Sequence, residues 1–209
     1  MPIIFQQNIN NSSIVGVWHI TECEDWFRKF VPPGKNINHP HKRLQHLAAR
    51  KLLADLSPGL SVAEILIHEN GKPFLPNEPI HFSVSHCGNY AATIISESKC
   101  GIDAELISEK VLRMVPKFLS DNEKVFIKQE KMLAATCWSI KEAAYKWYGL
   151  GKVDFREHMK IQSVSIEQGK ITANLEWKKD FRQALQISGV LIDQLVVCWI
   201  NQDQSSSSS

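Results

Sequence analysis

The sequence predicts an α+β protein made of two similar α/β subdomains. Its 209 residues are about one and a half times the usual domain length. Two long helical patterns are each surrounded by short β-branched strands, one set on either side of residue 100. We therefore expect an N-terminal subdomain over 1–100 and a C-terminal subdomain over 101–201. The Ser-rich segment 202–209 is polar and of low complexity, so we expect it to be disordered.

The first half combines one long helix with several short strands. Leucines recur at helical spacing between His41 and Leu56, and Ser-Pro-Gly at 57–59 ends the pattern. The Asn-Gly pair at 70–71 indicates a hairpin. A short helix is predicted over Glu22–Phe30. The predicted strands are Ile3–Phe5, Ile14–Ile20, Val62–His68, Pro73–Leu75, His81–Val84 and Tyr90–Ser96.

The second half has the longest helical pattern, Leu133–Gly149. A shorter helix is predicted over Lys110–Leu119, and Ser120 with Glu123 forms a capping-box pattern that predicts the start of another helix. The predicted strands are Gly101–Leu106, Lys160–Glu167, Ile171–Trp177, Ala184–Leu191 and Gln194–Ile200.

Composition excludes several classes of protein. The 24 Lys and Arg against 22 Asp and Glu leave a net charge of +2, which argues against nucleic-acid binding. A basic strip over 39–50 keeps that alternative open. No apolar run approaches the ~20 residues of a membrane span, and the N-terminus lacks signal-peptide features. Five scattered cysteines without a C-x-x-C pair fit a reducing compartment. We expect a cytoplasmic protein whose cysteines have no catalytic role.

The segment F-S-V-S-H-C-G at 82–88 offers groups that suit an anionic oxygen. On a strand, Ser83 and Ser85 share one face, and His86 lies where the strand meets a glycine turn. The alternative is a polar strand end with a surface histidine.

The segment G-I-D-A-E at 101–105 places two carboxylates together. Asp103 and Glu105 lie on one face of a strand, and paired carboxylates are ligands that suit Mg²⁺. The alternative is a solvated edge strand, where such charges are common.

The segment W-S-I-K-E-A-A-Y-K-W-Y-G at 138–149 is helical. Glu142 and Lys146 are four residues apart and lie almost opposite the apolar stripe of the helix. One interpretation is a surface ion pair. However, Trp138 and Tyr145 lie on the same side, which indicates a covered face. Partly buried charges need partners, and a metal or a phosphate would supply them.

Taken in order, these three segments resemble the Sfp-type 4′-phosphopantetheinyl transferases, and G-K-P-F at 71–74 adds to the match. The resemblance implies two subdomains related by a pseudo-twofold axis. It also implies an enzyme, a holo-[acyl-carrier-protein] synthase. Such an enzyme moves the 4′-phosphopantetheine arm of coenzyme A to a serine hydroxyl of an apo carrier protein and releases adenosine 3′,5′-bisphosphate. The alternative is a coenzyme A-binding protein without transferase activity.

The resemblance also implies roles for individual residues of the second half. Asp103, Glu105 and Glu142 would hold Mg²⁺, which Mn²⁺ could replace, on the pyrophosphate. Glu142 would act as the base for the incoming serine, directly or through water. Lys146 would neutralise or protonate the leaving phosphate. Lys141 points away from Glu142 and is a weaker candidate for a contact with the substrate.

In the first half the implied roles concern coenzyme A. Ser85 and His86 would bind the pyrophosphate or the 3′-phosphate, and His86 is also implied in catalysis. Lys72 would bind another phosphate oxygen. Arg43 is the candidate for the 3′-phosphate because guanidinium binds phosphate in a bidentate manner. Lys42 and Arg50 are comparable candidates.

The implied partners are coenzyme A and an apo acyl or peptidyl carrier protein of fatty-acid, polyketide or nonribosomal-peptide synthesis. We expect a monomer that binds neither nucleic acid nor membrane.

Overall fold

The computed structural model of the chain describes residues 3–32, 37–69, 71–127 and 130–202. The chain divides into two units, residues 1–100 and residues 101–209. The predicted mixture of helices and strands is confirmed, and each unit combines a β-sheet with one long helix.

The first unit is built on a four-stranded sheet. Its elements are β1 (Ile3–Asn10), β2 (Ser13–His19), α1 (Glu24–Arg28), α2 (Pro40–Leu56), β3 (Leu66–Ile67), β4 (Pro73–Phe74), β5 (His81–Cys87) and β6 (Tyr90–Ser96). The strand order is β1-β2-β6-β5, and every neighbouring pair is antiparallel. This order places β5, which carries Ser85 and His86, at one edge of the sheet.

Helix α2 forms the core of this unit with the sheet. Proline at its first position suits the helix start, and His39 accepts a hydrogen bond from the Lys42 amide at 3.4 Å. The predicted leucine stripe is buried against the sheet. In β2, a Cβ added to Gly16 would lie 3.0 Å from a methyl carbon of Leu56. Glycine therefore lets the leucines of α2 approach the sheet closely.

The predicted strand Val62–His68 is wrong over its first half. Val62–Glu64 form a 3₁₀ turn, and only the two residues of β3 pair, with β4. Leu66 and Ile67 are each 50% exposed, so no buried face extends this strand. The hairpin itself is present, and Gly71 in its turn has a φ of +86°, which favours glycine.

The second unit is built on a five-stranded sheet. Its elements are β7 (Cys100–Leu106), α3 (Glu109–Phe118), α4 (Lys131–Tyr148), β8 (Met159–Glu167), β9 (Lys170–Trp177), β10 (Gln183–Ile192) and β11 (Leu195–Asn201). The strand order is β7-β11-β10-β9-β8. Helix α4 packs on β11 and on α3, and it ends at Gly149, whose φ is +76°.

The helix predicted to begin at Ser120 is wrong. Residues Glu123–Phe126 form one 3₁₀ turn. The Glu123 carboxylate accepts hydrogen bonds from the Ser120 amide at 2.9 Å and the Ser120 hydroxyl at 2.6 Å, as in a capping box. Its other oxygen accepts from the Ile161 amide in β8. The side chain is thus drawn into the interior of the unit, and the turn does not continue as an α-helix.

The chain end and the cysteines bear on two further predictions. Gln202, the last described residue, donates to the Ala184 carbonyl at 3.0 Å. The rest of the predicted disordered tail, 203–209, lies outside the described residues.

Cys100, Cys137 and Cys198 are buried, and burial raises the pKa of the Cys100 and Cys137 thiols to about 12. Such thiols are inert. Within the described ranges, no helix has the length and apolar character needed to cross a bilayer.

Candidate active site

In the second unit, β7 and α4 bring together charged groups from two of the predicted motifs. Lys146 Nζ donates to Asp103 Oδ1 at 2.7 Å. The Ser139 hydroxyl, two turns earlier on α4, donates to the Asp103 carbonyl at 3.1 Å. Asp103 is only 5% exposed, which excludes the solvated edge-strand interpretation. Two side chains of α4 thus hold the helix against β7, one through the backbone carbonyl of Asp103 and one through its carboxylate.

Glycine at the start of G-I-D-A-E makes this approach possible. A Cβ added to Gly101 would lie 2.1 Å from the Ala143 carbonyl oxygen and 2.5 Å from the Trp147 amide nitrogen. Both are backbone atoms of α4, so they could not move aside without displacing the helix. Gly101 therefore sets how close α4 lies to the strand that carries Asp103.

Glu142 is electrostatically coupled to the other carboxylates. It is partly buried, and burial is the main cause that raises its pKa to about 7. The negative charges of Asp103 and Glu105 raise the pKa further, while Lys146 lowers it. A carboxyl group that titrates near neutral pH is suited to general-base chemistry. The second unit thus brings Asp103, Glu105 and Lys146 within electrostatic reach of Glu142.

The donor set fits a hard divalent cation in its chemistry. Three carboxylates against one ammonium leave excess negative charge, and carboxylate oxygens are the ligands that Mg²⁺ prefers. A cation would offset the repulsion that raises the pKa of Glu142. As the side chains stand, no three acidic, histidine or cysteine side chains among the described residues form a ready-made metal cluster. The fit therefore rests on charge and ligand type.

The aromatic side of α4 is covered, as predicted. The Trp138 ring lies 5.0 Å, between centroids, from Phe118 at the end of α3, and 5.7 Å from Phe155. Tyr145 lies 5.7 Å from the same Phe155 ring. Since this side is packed and Lys146 is paired with buried Asp103, the surface ion-pair interpretation of this helix is wrong.

Lys141 is the group in this motif whose role the sequence did not reveal. Its side chain is fully buried and forms an ion pair with Glu123 at 2.7 Å. Spacing on α4 alone shows that Lys141 points away from Glu142, but it does not show the acceptors on that side. The only signal in the sequence is the capping-box glutamate, Glu123.

In the first unit, α2 holds the turn that follows Ser85 and His86. Ser85 is buried and His86 is exposed. Gly88, with a φ of +54°, directs its carbonyl toward α2. There it accepts from Gln45 Nε2 at 2.7 Å and lies 3.0 Å from His41 Nε2.

Lys72 is accompanied by a lysine that sequence reasoning missed. Burial lowers the pKa of Lys72. Burial, and then the charge of Lys72, lower the pKa of Lys99 to about 8. Two half-buried ammonium groups that repel each other form an electropositive region. Lys99 is distant from Lys72 in sequence, so only the fold reveals the pair.

The candidates for the 3′-phosphate on α2 have different surroundings. Arg43 Nε donates to both carboxylate oxygens of Glu24 at 2.8 Å, so a phosphate would compete with that carboxylate. Arg50 is buried and donates to the Val62 carbonyl. Lys42 is exposed. Of the three side chains, that of Arg50 is the one buried in the interior of the unit.

Comparison with known proteins finds similarity to one family, over the second half of the chain. Residues 99–199 match the family model of the 4′-phosphopantetheinyl transferase superfamily. The chain is 33% identical over 125 residues to the 4′-phosphopantetheinyl transferase gsp of Aneurinibacillus migulanus, covering 57% of this chain and 50% of that protein. It is 40% identical over 82 residues to the 4′-phosphopantetheinyl transferase AcpT of Escherichia coli O157:H7, covering 37% of this chain and 40% of AcpT.

A Haemophilus influenzae protein provisionally named as a 4′-phosphopantetheinyl transferase is 31% identical over 150 residues, which cover 64% of this chain and 63% of that protein. The chain thus spans less than two thirds of the length of these curated relatives. The matched region of the family model includes β7 and α4, which carry the carboxylates and the lysine described above. Residues 99–199, just under half of the chain, are thus similar to the 4′-phosphopantetheinyl transferase superfamily.

Proposed function

We propose that this protein transfers the 4′-phosphopantetheine arm of coenzyme A to a serine hydroxyl of an apo carrier protein, releasing adenosine 3′,5′-bisphosphate. The observation that carries the proposal is the coupled group of Asp103, Glu105, Glu142 and Lys146 on β7 and α4. Relatives named 4′-phosphopantetheinyl transferase support the same chemistry. In the reaction, the serine oxygen forms a bond to the β-phosphorus of coenzyme A, and the bridging P–O bond breaks.

Glu142 and Lys146 have complementary roles in this proposal. Glu142 accepts the proton of the serine hydroxyl, directly or through water. Lys146 neutralises or protonates the phosphate that leaves. Its bond to Asp103 holds the ammonium beside the carboxylates.

The carboxylates also account for the proposed metal dependence. Asp103, Glu105 and Glu142 would hold Mg²⁺, or Mn²⁺ in its place. The cation would supply charge neutralisation to the pyrophosphate. This assignment is supported by the coupling of the three carboxylates.

Residues of the first unit are proposed to bind the phosphates of coenzyme A. Ser85 and His86 are the pyrophosphate or 3′-phosphate ligands, with His86 contributing to catalysis. Lys72 is a further phosphate contact, supported by the electropositive pair that it forms with Lys99. Arg43 is the 3′-phosphate ligand and would exchange Glu24 for the phosphate.

The acceptor, the assembly and the location also belong to this proposal. We assign the acceptor to the acyl or peptidyl carrier proteins of fatty-acid, polyketide or nonribosomal-peptide synthesis. The pseudo-twofold arrangement of the two halves, a monomeric state and a cytoplasmic location stay predictions.

The experiment incubates the purified protein with coenzyme A, Mg²⁺ and a panel of apo carrier proteins, and follows carrier mass. We expect at least one carrier to gain a phosphopantetheine group, and the gain to stop with EDTA. Binding of coenzyme A without a mass gain on any carrier would support the alternative, a coenzyme A-binding protein without transferase activity. Absence of both binding and transfer would contradict the proposal.

A further inference from the structure

We propose that Lys141, anchored by Glu123, is a positioning residue that sets the place of Glu142 for transfer. This inference rests on the proposed function. Lys141 precedes Glu142 on α4, but its side chain points about 100° away around the helix axis, into the interior of the second unit. It acts through the helix backbone and has no contact with the reacting atoms.

The ammonium group of Lys141 is bound from several directions. Nζ donates to the carbonyls of Phe118 at 2.9 Å, Phe155 at 2.8 Å and Met159 at 2.9 Å. These acceptors lie at the end of α3, in the connection that follows α4, and at the start of β8. A single side chain therefore ties α4 to three other segments of the unit.

Glu123 supplies the charge that this buried ammonium needs, and it is itself fixed. Glu123 is 3% exposed and lies 2.7 Å from Lys141 Nζ. The Ile161 amide donates to Oε1 at 2.8 Å, and Ser120 donates to Oε2 through both its amide and its hydroxyl. The described contacts thus give both oxygens of Glu123 and the ammonium of Lys141 partners of fixed direction.

The opposite side of the same helical turns is fixed by β7. Ser139 donates to the Asp103 carbonyl and Lys146 to the Asp103 carboxylate. Glu142 therefore lies on a segment held by directional bonds on two sides. A shift of α4 by one residue would move its backbone by about 1.5 Å, and a misplacement of ~1 Å can lower a catalytic rate about 10²-fold.

Stability alone does not explain this pair. Apolar residues of similar volume often replace a buried ion pair at no cost in stability. They cannot replace the directional bonds to three carbonyls. We therefore expect a neutral, shape-conserving replacement to fold and to transfer slowly.

The test is the double variant Lys141→Met/Glu123→Gln in the full chain. Methionine keeps the length of the side chain without the ammonium, and glutamine keeps an acceptor for Ser120 or Ile161. With the carrier that the parent loads, we expect kcat to fall about tenfold or more. We expect the KM values for coenzyme A and carrier to stay within about twofold, because no group that binds either substrate is removed.

Two controls separate positioning from general destabilisation. Lys131→Met/Glu109→Gln makes the same substitutions in an exposed pair at the start of α4 and should leave kcat unchanged. Leu175→Ala opens a cavity in β9, where Leu175 is 1% exposed. It should lower the melting temperature while kcat, measured well below melting, is kept.

A folded double variant with parental kcat would overturn the inference. An equal loss of kcat in Leu175→Ala and in the double variant would overturn it too. If the double variant does not fold, Glu123→Gln alone decides the question. It keeps the shape but removes the charge that anchors Lys141, and a kcat equal to that of the parent would contradict us. A parent that loads no carrier would instead refute the proposed function.

Discussion

The ammonium of Lys146 lies 2.7 Å from the carboxylate of Asp103 and joins two motifs whose residues are 43 positions apart. This contact shows that the charges of α4 face β7 and do not form an isolated surface pair. Asp103 is buried, and the side chain of Lys146 is 26% exposed. The pair therefore combines a fixed carboxylate with an ammonium that a substrate can still reach.

Replacing Glu142 tests the proposed base. Glu142→Gln keeps the shape of the side chain but removes its charge and its ability to accept a proton. We expect carrier loading to slow by about 10²–10⁴-fold. Because burial and neighbouring carboxylates disfavour the charged form of Glu142, the variant should be at least as stable as the parent. Loading rates by mass spectrometry and thermal melting check both outcomes, and near-parental loading would contradict the assignment.

Replacing Asp103 tests the metal assignment. Asp103→Asn removes one proposed ligand and the counterion of Lys146 while conserving volume. We expect turnover to fall strongly and the Mg²⁺ concentration for half-maximal rate to rise, because a ligand of the cation is lost. A matched Asn174→Asp change on the exposed face of β9 should leave the Mg²⁺ titration unchanged. An unchanged titration in Asp103→Asn would refute the assignment.

The close approach at Gly101 predicts a large loss of stability. Gly101→Ala would place a Cβ 2.1 Å from the Ala143 carbonyl oxygen. Overpacking of this kind costs about 1–3 kcal/mol and occasionally more. We expect the free energy of unfolding, measured with urea, to fall by at least that amount. Gly59→Ala is the control, because no atom lies within 4 Å of its Cβ. Its φ of +101° should by itself cost about 1–2 kcal/mol, so the loss in Gly101→Ala should exceed that of the control. Equal stability of Gly101→Ala and the parent would show that α4 lies farther from β7.

The ion pair of Glu123 and Lys141 predicts an acid-sensitive contribution to stability. Burial alone would raise the pKa of Glu123, but hydrogen bonds from Lys141, Ser120 and the Ile161 amide outweigh it and lower the pKa below 4.5. A lowered pKa means that the unfolded chain takes up the proton first. The contribution is therefore complete above pH 4.5 and is lost as the pH falls through the folded-state pKa.

Breaking such a buried pair costs about 3–5 kcal/mol. Glu123→Gln should accordingly be less stable than the parent at pH 7, and the difference should shrink as the pH falls below about 4. Urea unfolding at a series of pH values measures it. A difference independent of pH would mean that Glu123 is not charged in the folded protein.

Most of the elements could be predicted from local pattern, because their signals lie within the elements. The strand Tyr90–Ser96 matches its prediction, and α4 differs from its prediction by two residues at the start and one at the end. The predicted helix at Ser120 failed because Glu123 bonds to residues of β8 and α4. Those partners are distant in sequence, so the local pattern could not reveal them.

The candidate site shows the same division. Spacing predicts that Asp103 and Glu105 share a strand face and that Glu142 and Lys146 share a helix face. It does not show that Lys146 pairs with Asp103, nor that Lys141 binds three carbonyls. These contacts depend on how α4 packs, which the clearance at Gly101 controls.

The most direct test of the account is the mass of an apo carrier protein after incubation with coenzyme A, Mg²⁺ and either the parent or Lys146→Met. Methionine keeps the length of the lysine side chain and removes the ammonium that neutralises the leaving phosphate. We predict that the parent adds one phosphopantetheine group per acceptor serine and that Lys146→Met, although folded, loads the carrier far more slowly. Equal loading by both proteins would contradict the central claim that the charged groups of β7 and α4 carry the transfer.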